Sequence, residues 1–557
     1  METIMAEGYV IGIDFGSDSV RSVVVEVRTG KVRCSGAVEY PRWKQGLYQH
    51  PEYGIFRQHP LDYLEALEKC VKDVTAALSA EEKSRIAGIG VDTTGSTPVP
   101  VNREGVPLAL TEAFRENENA MFHLWKDHSA AAEAEELNLL FAKGSGTDYT
   151  KYQGRYSAEW FWAKILHCIR ADETIREAAY TWEEHSDWIV GELCGRIRPE
   201  EIYHSACAAG HKLLWHSEWG GLPAADVLGK SDPYLAQVRE RYGQAPQPAY
   251  IKAGTLTGKW AAKFGLPEGI AVSGSSFDAH AGAVGAGIRE NNMVCILGTS
   301  AVDMAVGRAE KLERTDIREF GGQAENSILP GYVGIETGQA AFGDILAWFK
   351  NLLLWPLGKL RDRLDEKKYE ELFEEAEASM LGWLQQEAEA LPDYPFPISL
   401  DWFNGRRYPD TDDAQKAMVS HLTLGITAPV LYRSFVFGAV CGLKRIVDGL
   451  EKQKIEIDNV VAVGGISKKS DYIMQMMADV LDKTITILDA DQTCALGAAV
   501  YAAVAAGLYP DASSASSAMA AKGIRDFEPD AAKHRFYETH YAKYLELARL
   551  AELQKEK

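Results

Sequence analysis

The chain has 557 residues, too many for one hydrophobic core, so two or more domains are expected. Hydrophobic residues make up 46% and aromatic residues 10%, as in a well-packed globular protein. With 59 basic against 80 acidic residues the formal net charge is −21, which argues against nucleic acid or an anionic membrane as the main partner but leaves room for a small phosphorylated ligand.

The opening "METIMAEGYV" has no basic segment followed by an apolar core, so no secretory signal is expected. No apolar run approaches ~18 residues, so no membrane span is expected either. Cys34, Cys70, Cys168, Cys194, Cys207, Cys295, Cys441 and Cys494 are scattered, without CxxC or metal spacing, and read as buried free thiols of a reducing cytosol. The histidines show no metal spacing.

In chain order, "YVIGIDFG" and "SVRSVVVEV" read as strands around the polar knot "DFGSDSVR". "PLDYLEALEKCVKDVTAAL" reads as an amphipathic helix and "IAGIGVDTT" as a buried strand. From Met121 to Glu201 the pattern is mostly helical and rich in tryptophan, with Trp160 and Trp162 read as core. "IAVSGSSFDAHAGAVGAG" is a strand, a small-residue turn and a Gly/Ala helix. This strand–helix alternation predicts an α/β architecture. At "MVCILGTSAVDMAVG" a second unit opens as the first did, with strand, Gly-Ser/Thr turn and strand. Any two α/β domains can start with a hairpin, but here the turn chemistry matches too, which favours two halves of related design. A long helix "PVLYRSFVFGAVCGLKRIVDGLEK" follows, then the strand "NVVAVGG", a helix over "SDYIMQMMADVLD", the strand "TITILD" and the helix "ALGAAVYAAVAAG". Lys367 to Glu389 reads as a solvated helical insert, and "YETHYAKYLELARLAELQKEK" as a surface helix with a frayed end.

Several of these turns carry chemistry. Gly16 lets a ligand approach the backbone, and successive N–H groups with the Ser17 and Ser19 hydroxyls can cradle phosphate oxygens. Asp14 at the strand end can hold Mg²⁺, and Arg21 can reach a phosphate. An ordinary hairpin fits this knot equally well when it is taken alone. Gly298, Thr299 and Ser300 form a second such turn, and two facing turns would clamp a polyphosphate. Gly464 and Gly465 in "VAVGGISKKS" let a base or ribose lie against the backbone; Lys468 and Lys469 read as surface residues. Asp278 stands where a helix dipole favours the ionised carboxylate, as a helix cap or as a residue that orients a hydroxyl and accepts its proton. Trp125, Lys126, Asp127 and His128 in "LWKDH", Lys212 in "GHKLLW", and Glu336 and Gln339 in "GIETGQAAFGD" are the mixed polar and aromatic groups that a sugar site uses.

These segments in this order resemble the FGGY family of carbohydrate kinases, within the actin/hexokinase/Hsp70 superfamily. The resemblance runs over nearly the whole chain, from "IGIDFGSDSVR" through "IGVDTTGSTPVPV", "GSSFDAHAGAVGAG" and "LGTS" to "CALGAAVYAAVAAG". It implies an α/β fold of two ribonuclease-H-like (actin-like ATPase) domains around a central cleft, each with a mixed five-stranded sheet. Residues 1–290 would bind mainly sugar and residues 291–557 mainly ATP. The family's catalytic aspartate falls on Asp278 and its metal-associated aspartate on Asp14. Sugar contacts fall on Ser96, Thr97, Trp125, Lys126, Lys212, Asp278 and Glu336. Nucleotide contacts fall on Gly16, Ser17, Ser19, Arg21, Gly298, Thr299, Gly464 and Gly465. "LWKDH" departs from many relatives, which have arginine in place of His128, and fits a distinct substrate subgroup.

The implied activity is transfer of phosphate from ATP, with Mg²⁺, to the C5 hydroxyl of the ketopentose L-ribulose, a step of L-arabinose catabolism. The implied protein is a cytoplasmic homodimer or other homo-oligomer whose partner is a small sugar. Three rivals stand beside this. One is a kinase for another ketopentose or pentitol, such as D-ribulose, xylulose or ribitol. Another is a nucleotide-dependent conformational protein of the chaperone or filament kind. The third, an inactive sugar-binding regulator, is opposed by the joint presence of Asp14, Thr299 and Asp278.

Overall fold

The computed structural model describes residues 8–143, 146–312, 317–363 and 365–555. Residues 1–7, which carry most of the segment read as lacking a secretory signal, lie outside the described residues, as do residues 556–557 at the predicted frayed end. Among the described residues no helix is long and apolar enough to cross a membrane.

Two sheets organise the chain. The first has six strands: Tyr9–Phe15 (β1), Ser19–Glu26 (β2), Val32–Glu39 (β3), Ile86–Thr93 (β4), Lys252–Thr255 (β5) and Ala271–Phe277 (β6), in the order β5-β6-β4-β1-β2-β3. The second has seven: Asn292–Leu297 (β7), Ala301–Arg308 (β8), Gly322–Glu325 (β9), Tyr332–Gln339 (β10), Asn459–Val463 (β11), Thr484–Leu488 (β12) and Gly523–Phe527 (β13), in the order β9-β10-β8-β7-β11-β12-β13. The expected five-stranded sheets are therefore too small, because edge strands extend both. Inside them sits one repeated core. β1 pairs antiparallel with β2 and parallel with β4, β2 with β3 antiparallel, and β4 with β6 parallel. The strands β7, β8, β10, β11 and β12 repeat those pairings in the same sense. The small residues "SGSS" lie within β6 and not, as expected, in a turn after it.

β1 shows why its sequence is apolar almost throughout. Ile11, Ile13 and Phe15 pack with Tyr63, Leu67 and Val71 of helix Pro60–Ala76 (α1), while Val10 on the other face joins the core between the halves. A strand buried on both faces has no polar side to alternate with. Helices Ala206–Lys212 (α2) and Asp278–Gly285 (α3) lie beside β6. In the second half, Gly343–Gly358 (α4) follows β10, Glu366–Glu389 (α5) is the insert, and Ala428–Lys452 (α6) spans the core. The insert is not solvated throughout: Leu384 and Ala388 at its C-terminal end are buried in that core.

Helix Thr493–Ala505 (α7) joins the halves, and its Gly/Ala composition follows from that task. A Cβ at Gly12 of β1 would lie 1.8 Å from the Ala495 carbonyl oxygen, and one at Gly90 of β4 1.9 Å from that of Ala498. Gly497 in turn touches the backbone of α3, where an added Cβ would be 1.9 Å from the Ala281 oxygen. Only side-chain-free positions allow so close a contact. The C-terminal helix Ala531–Lys555 (α8) is more than a surface helix, since Tyr541, Tyr544 and Leu547 enter the second core. The tryptophan-rich segment forms its own core around Phe141, Tyr156, Trp162 and Trp182. All eight cysteines are free; five are buried, while Cys34, Cys194 and Cys494 are half-buried.

Candidate active site

The candidate residues gather at the C-terminal ends of the central strands. β1 ends in "DF" and then Gly16, whose N–H donates to the Ser19 carbonyl at 3.0 Å, closing the hairpin around the polar knot. In parallel register Asp14 of β1 stands beside Asp92 of β4, and Asp92 beside Ser276 of β6, two residues before Asp278. Three acids thus meet at one sheet end. The sequence reading had passed over Asp92, although a lone acid in the apolar run "IAGIGVDTT" is a signal.

These acids are not electrostatically independent. Burial, then the Asp14 charge, pushes Asp278 up to about 7, against the Ala279 N–H that donates to its Oδ1 at 2.7 Å. Burial and the same neighbours push Asp92 well above the carboxylate range. Burial also raises Asp14, opposed by Arg21, whose Nη1 lies 2.9 Å from its Oδ2. Arg21 also faces Asp18 at 3.6 Å, so its guanidinium is engaged by acids of its own turn. Asp14 Oδ1 and both Asp92 oxygens are buried and receive no hydrogen bond from outside the acid pair. Buried oxygens left in that state fit a hard cation with oxygen ligands.

In the second half, the Gly298–Thr299 turn is held by the start of α4. The Phe342 and Asp344 N–H groups donate to the Thr299 carbonyl at 2.8 and 3.1 Å. Gly464, at φ 98°, presses on β7: an added Cβ would lie 2.4 Å from the Leu297 oxygen. Gly465 has open space where its Cβ would stand, leaving backbone accessible to a ligand. Lys468 pairs with Asp491, in line with a surface role.

The candidate sugar residues come from both halves. Lys212 closes α2, its ammonium 3.8 Å from Glu336 Oε2 on β10. His280 Nε2 lies 3.8 Å from the same oxygen. Burial would raise Glu336, but Lys212, His280 and His211 outweigh it and hold the carboxyl at about 2. Lys212 also sits 5.1 Å from the ring of Trp160, which is half-buried and packs against the core that encloses Trp162. Trp125 donates from Nε1 to the Ser17 hydroxyl at 2.9 Å, tying the "LWKDH" segment to the Gly16–Ser19 turn. Lys126 lies over the Phe56 and Trp43 rings at 4.5 and 4.9 Å, and desolvation lowers its pKa. Gln339 donates to Asp401 and the Ala439 carbonyl, away from this group. Asp127 is bound to Arg57, and His128 faces Glu159 at 3.5 Å.

Ser96 and Thr97 are fully buried. The Ser96 hydroxyl donates to Glu184, whose other oxygen accepts the Thr97 N–H at 2.8 Å. Lys164 donates to the Ser96 and Leu124 carbonyls at 2.8 and 2.7 Å. Burial lowers Lys164 and raises Glu184, each to about 7. Lys164 thus joins the "GSTP" loop to "LWKDH" and Glu184 holds that loop from its other side, and neither was assigned a role from the sequence. The reading also missed a cluster of Cys207, His211 and His280, because the two histidines come from separate segments.

The sequence matches the FGGY family of carbohydrate kinases over residues 9–285 for its N-terminal domain and 293–506 for its C-terminal domain. A ribulokinase of Vibrio parahaemolyticus is 42% identical over 98% of this chain and 97% of its own length. One of Shouchella clausii is 32% identical over 97% and 94%. The fold is shared with a xylulose kinase from Rhodospirillum rubrum (TM-score 0.80, 19% identity, 99% of this chain and 100% of that one). It is also shared with Plasmodium falciparum glycerol kinase with ADP (TM-score 0.74, 17% identity, 97% and 98%). Two like-wired sheets, a glycine turn at the opening hairpin of each and an acid cluster at the end of the first, with identity of this extent along the whole chain, place the protein in the FGGY family of carbohydrate kinases.

Proposed function

We propose that this kinase is a ribulokinase, transferring the γ-phosphoryl group of ATP to the C5 hydroxyl of L-ribulose, as a step of L-arabinose catabolism. The observation that carries the reading is the convergence of Lys212, Glu336 and Asp278, in a chain 42% identical to a ribulokinase over nearly its full length. Lys212 and Glu336 offer a donor and an acceptor to adjacent sugar hydroxyls. Asp278 accepts a hydrogen bond from the C5 hydroxyl, points its oxygen at the γ-phosphorus and takes the proton late in transfer. A carboxyl pushed up to about 7 is well matched to that proton near neutral pH. Trp125 and Lys126 wall the sugar side. Ser96 and Thr97 act there by shaping their loop, since their hydroxyls, both carbonyls and the Thr97 N–H are engaged inside the protein.

ATP lies between the Gly16–Ser19 turn, with Arg21 beside it, and the Gly298–Thr299 turn, its adenosine on Gly464 and Gly465. Asp14, with Asp92 next to it, would hold Mg²⁺, and the ion would supply charge neutralisation at the phosphoryl oxygens. Residues 1–290 thus bind mainly sugar and residues 291–557 mainly nucleotide. The working protein is a cytoplasmic homodimer or other homo-oligomer. Support for self-association is the exposed stripe of Trp348, Leu352 and Trp355 along α4.

The test is the position of the phosphate in the product. Phosphorus–carbon coupling in the NMR spectrum of labelled product is expected at C5; coupling at C1, or phosphate released to water alone, would contradict the assignment.

A further inference from the structure

Cys207 and His211 stand four residues apart on α2 and so share one face of that helix. His280 faces them from the first turn of α3. One ligand atom from each of the three lies within 4.8 Å of the other two, and all three side chains are buried. His211 Nε2 and His280 Nε2 are 3.0 Å apart. Two imidazole nitrogens on one tetrahedral zinc, each bonded at about 2.0–2.1 Å, stand roughly 3.3 Å apart, so the pair needs little adjustment.

The cluster is held rigidly. A Cβ at Gly210 would lie 2.3 Å from that of Ala324, so α2 is pressed against β9. A Cβ at Gly322 would lie 2.9 Å from His211 Nδ1, so that glycine makes room for the ring. The Nδ1 atoms of His211 and His280 have no hydrogen-bond partner, so the imidazole pair is not a closed polar unit by itself. One sulfur and two imidazoles form a donor set for a thiophilic cation and not for Mg²⁺, which takes oxygen ligands. A fourth donor is at hand: Glu336 Oε2 lies 3.8 Å from His280 Nε2.

We propose that Cys207, His211 and His280 form a site for a thiophilic divalent cation such as Zn²⁺, with Glu336 as the fourth ligand. On binding, the Cys207 thiol releases its proton to solvent. Three ligands belong to α2 and α3 and the fourth to β10, so the cation ties the two halves together. Because Glu336 is also the assigned sugar contact, the cation and the sugar exclude one another, making the cation a competitive inhibitor. That consequence rests on the reading of Glu336 given above; binding of the cation does not.

The test uses the full chain, stripped of metal and supplied with Mg²⁺. Titration with Co²⁺, a spectroscopic stand-in for Zn²⁺, is expected to give tetrahedral ligand-field bands and a thiolate-to-cobalt charge-transfer band at one ion per chain. Cys207→Ala should abolish the charge-transfer band and weaken binding at least ~10-fold, while turnover in zinc-free buffer is retained. Cys207→Ser serves if the alanine variant fails to fold. L-Ribulose should displace cobalt, and Zn²⁺ should raise the sugar KM without lowering kcat. Absence of stoichiometric binding or an unchanged spectrum in both Cys207 variants would each overturn the proposal, and sugar and cobalt bound together without competition would overturn its competitive part. Glu336→Gln separates the two readings. A raised sugar KM in that variant, with no thiolate band in the unmodified chain, removes the metal site and keeps the sugar contact. An unchanged KM with the band present removes the sugar contact, and the competitive part of the proposal with it.

Discussion

Lys212 and Glu336 face one another at 3.8 Å across the two halves of the chain, the first at the end of α2 and the second on the middle of β10. The gap is wider than a hydrogen bond and suits two groups that both reach for the same small ligand. With His211 and His280 behind it, Glu336 stays ionised down to about pH 2. Glu336 therefore presents a fixed negative charge beside Lys212 over the whole working range.

Removing the Glu336 charge tests that role. A hydrogen bond to a charged group contributes about 1.5–3 kcal/mol, so Glu336→Gln should raise the sugar KM roughly 10- to 150-fold. The KM for ATP should hardly move. Steady-state kinetics with each substrate varied in turn provides the check.

Asp278→Asn should lower kcat by about 10²–10⁴-fold, the usual contribution of a positioned acid–base group. Circular dichroism and sugar binding should be preserved, since asparagine keeps the shape and the helix-start position. Near-normal turnover would remove Asp278 from the mechanism.

The same residue predicts two pH effects of defined sign. Phosphoryl transfer needs the ionised carboxylate to receive the hydroxyl proton, so kcat/KM should fall as pH drops through about 7. Stability goes the other way. A carboxyl raised in the folded state costs nothing while both states are protonated, and its cost grows from the unfolded pKa up to about 7. Asp278→Asn should therefore raise Tm at pH 8, and the gain should shrink as pH falls and be nearly gone at pH 3. Thermal melts of both proteins across that range decide the point.

Buried Lys164 and Glu184 each hold the loop that carries Ser96 and Thr97, through separate hydrogen bonds. Removing either side chain leaves its buried loop partners, the Ser96 and Leu124 carbonyls for Lys164 and the Ser96 hydroxyl and Thr97 N–H for Glu184, short of a hydrogen bond, at a cost of about 1–3 kcal/mol for each group left unsatisfied. Lys164→Met and Glu184→Gln should each be strongly destabilised in urea unfolding, and the double variant less than the sum of the two.

Much of this was legible in the sequence, for reasons that can be named. The strands β1, β2, β7 and β8 showed themselves because each hairpin has apolar runs around a Gly-Ser/Thr turn. The Gly/Ala run of α7 was legible as a helix, but its partner was not. Only the fold shows that Gly12 and Gly90 need bare backbone opposite it. Edge strands β5, β9 and β13 went unseen because they are short, and the residues of β5 and β13 are largely exposed, with no apolar pattern to mark them. Asp14 and Asp278 stood out beside glycine and serine. Asp92 did not, because its meaning comes from its register beside Asp14 across two strands. Glu184 and His280 owe their roles to partners 88 and 69 residues away, a distance no local motif reports.

The most direct test of the central claim is ADP release, coupled to a chromogenic readout, over L-ribulose, D-ribulose, xylulose, ribitol and glycerol. The account predicts sugar-dependent ADP formation with the highest kcat/KM on L-ribulose, abolished in Asp278→Asn. ADP release that is independent of sugar, or a higher kcat/KM on one of the other acceptors, would contradict it.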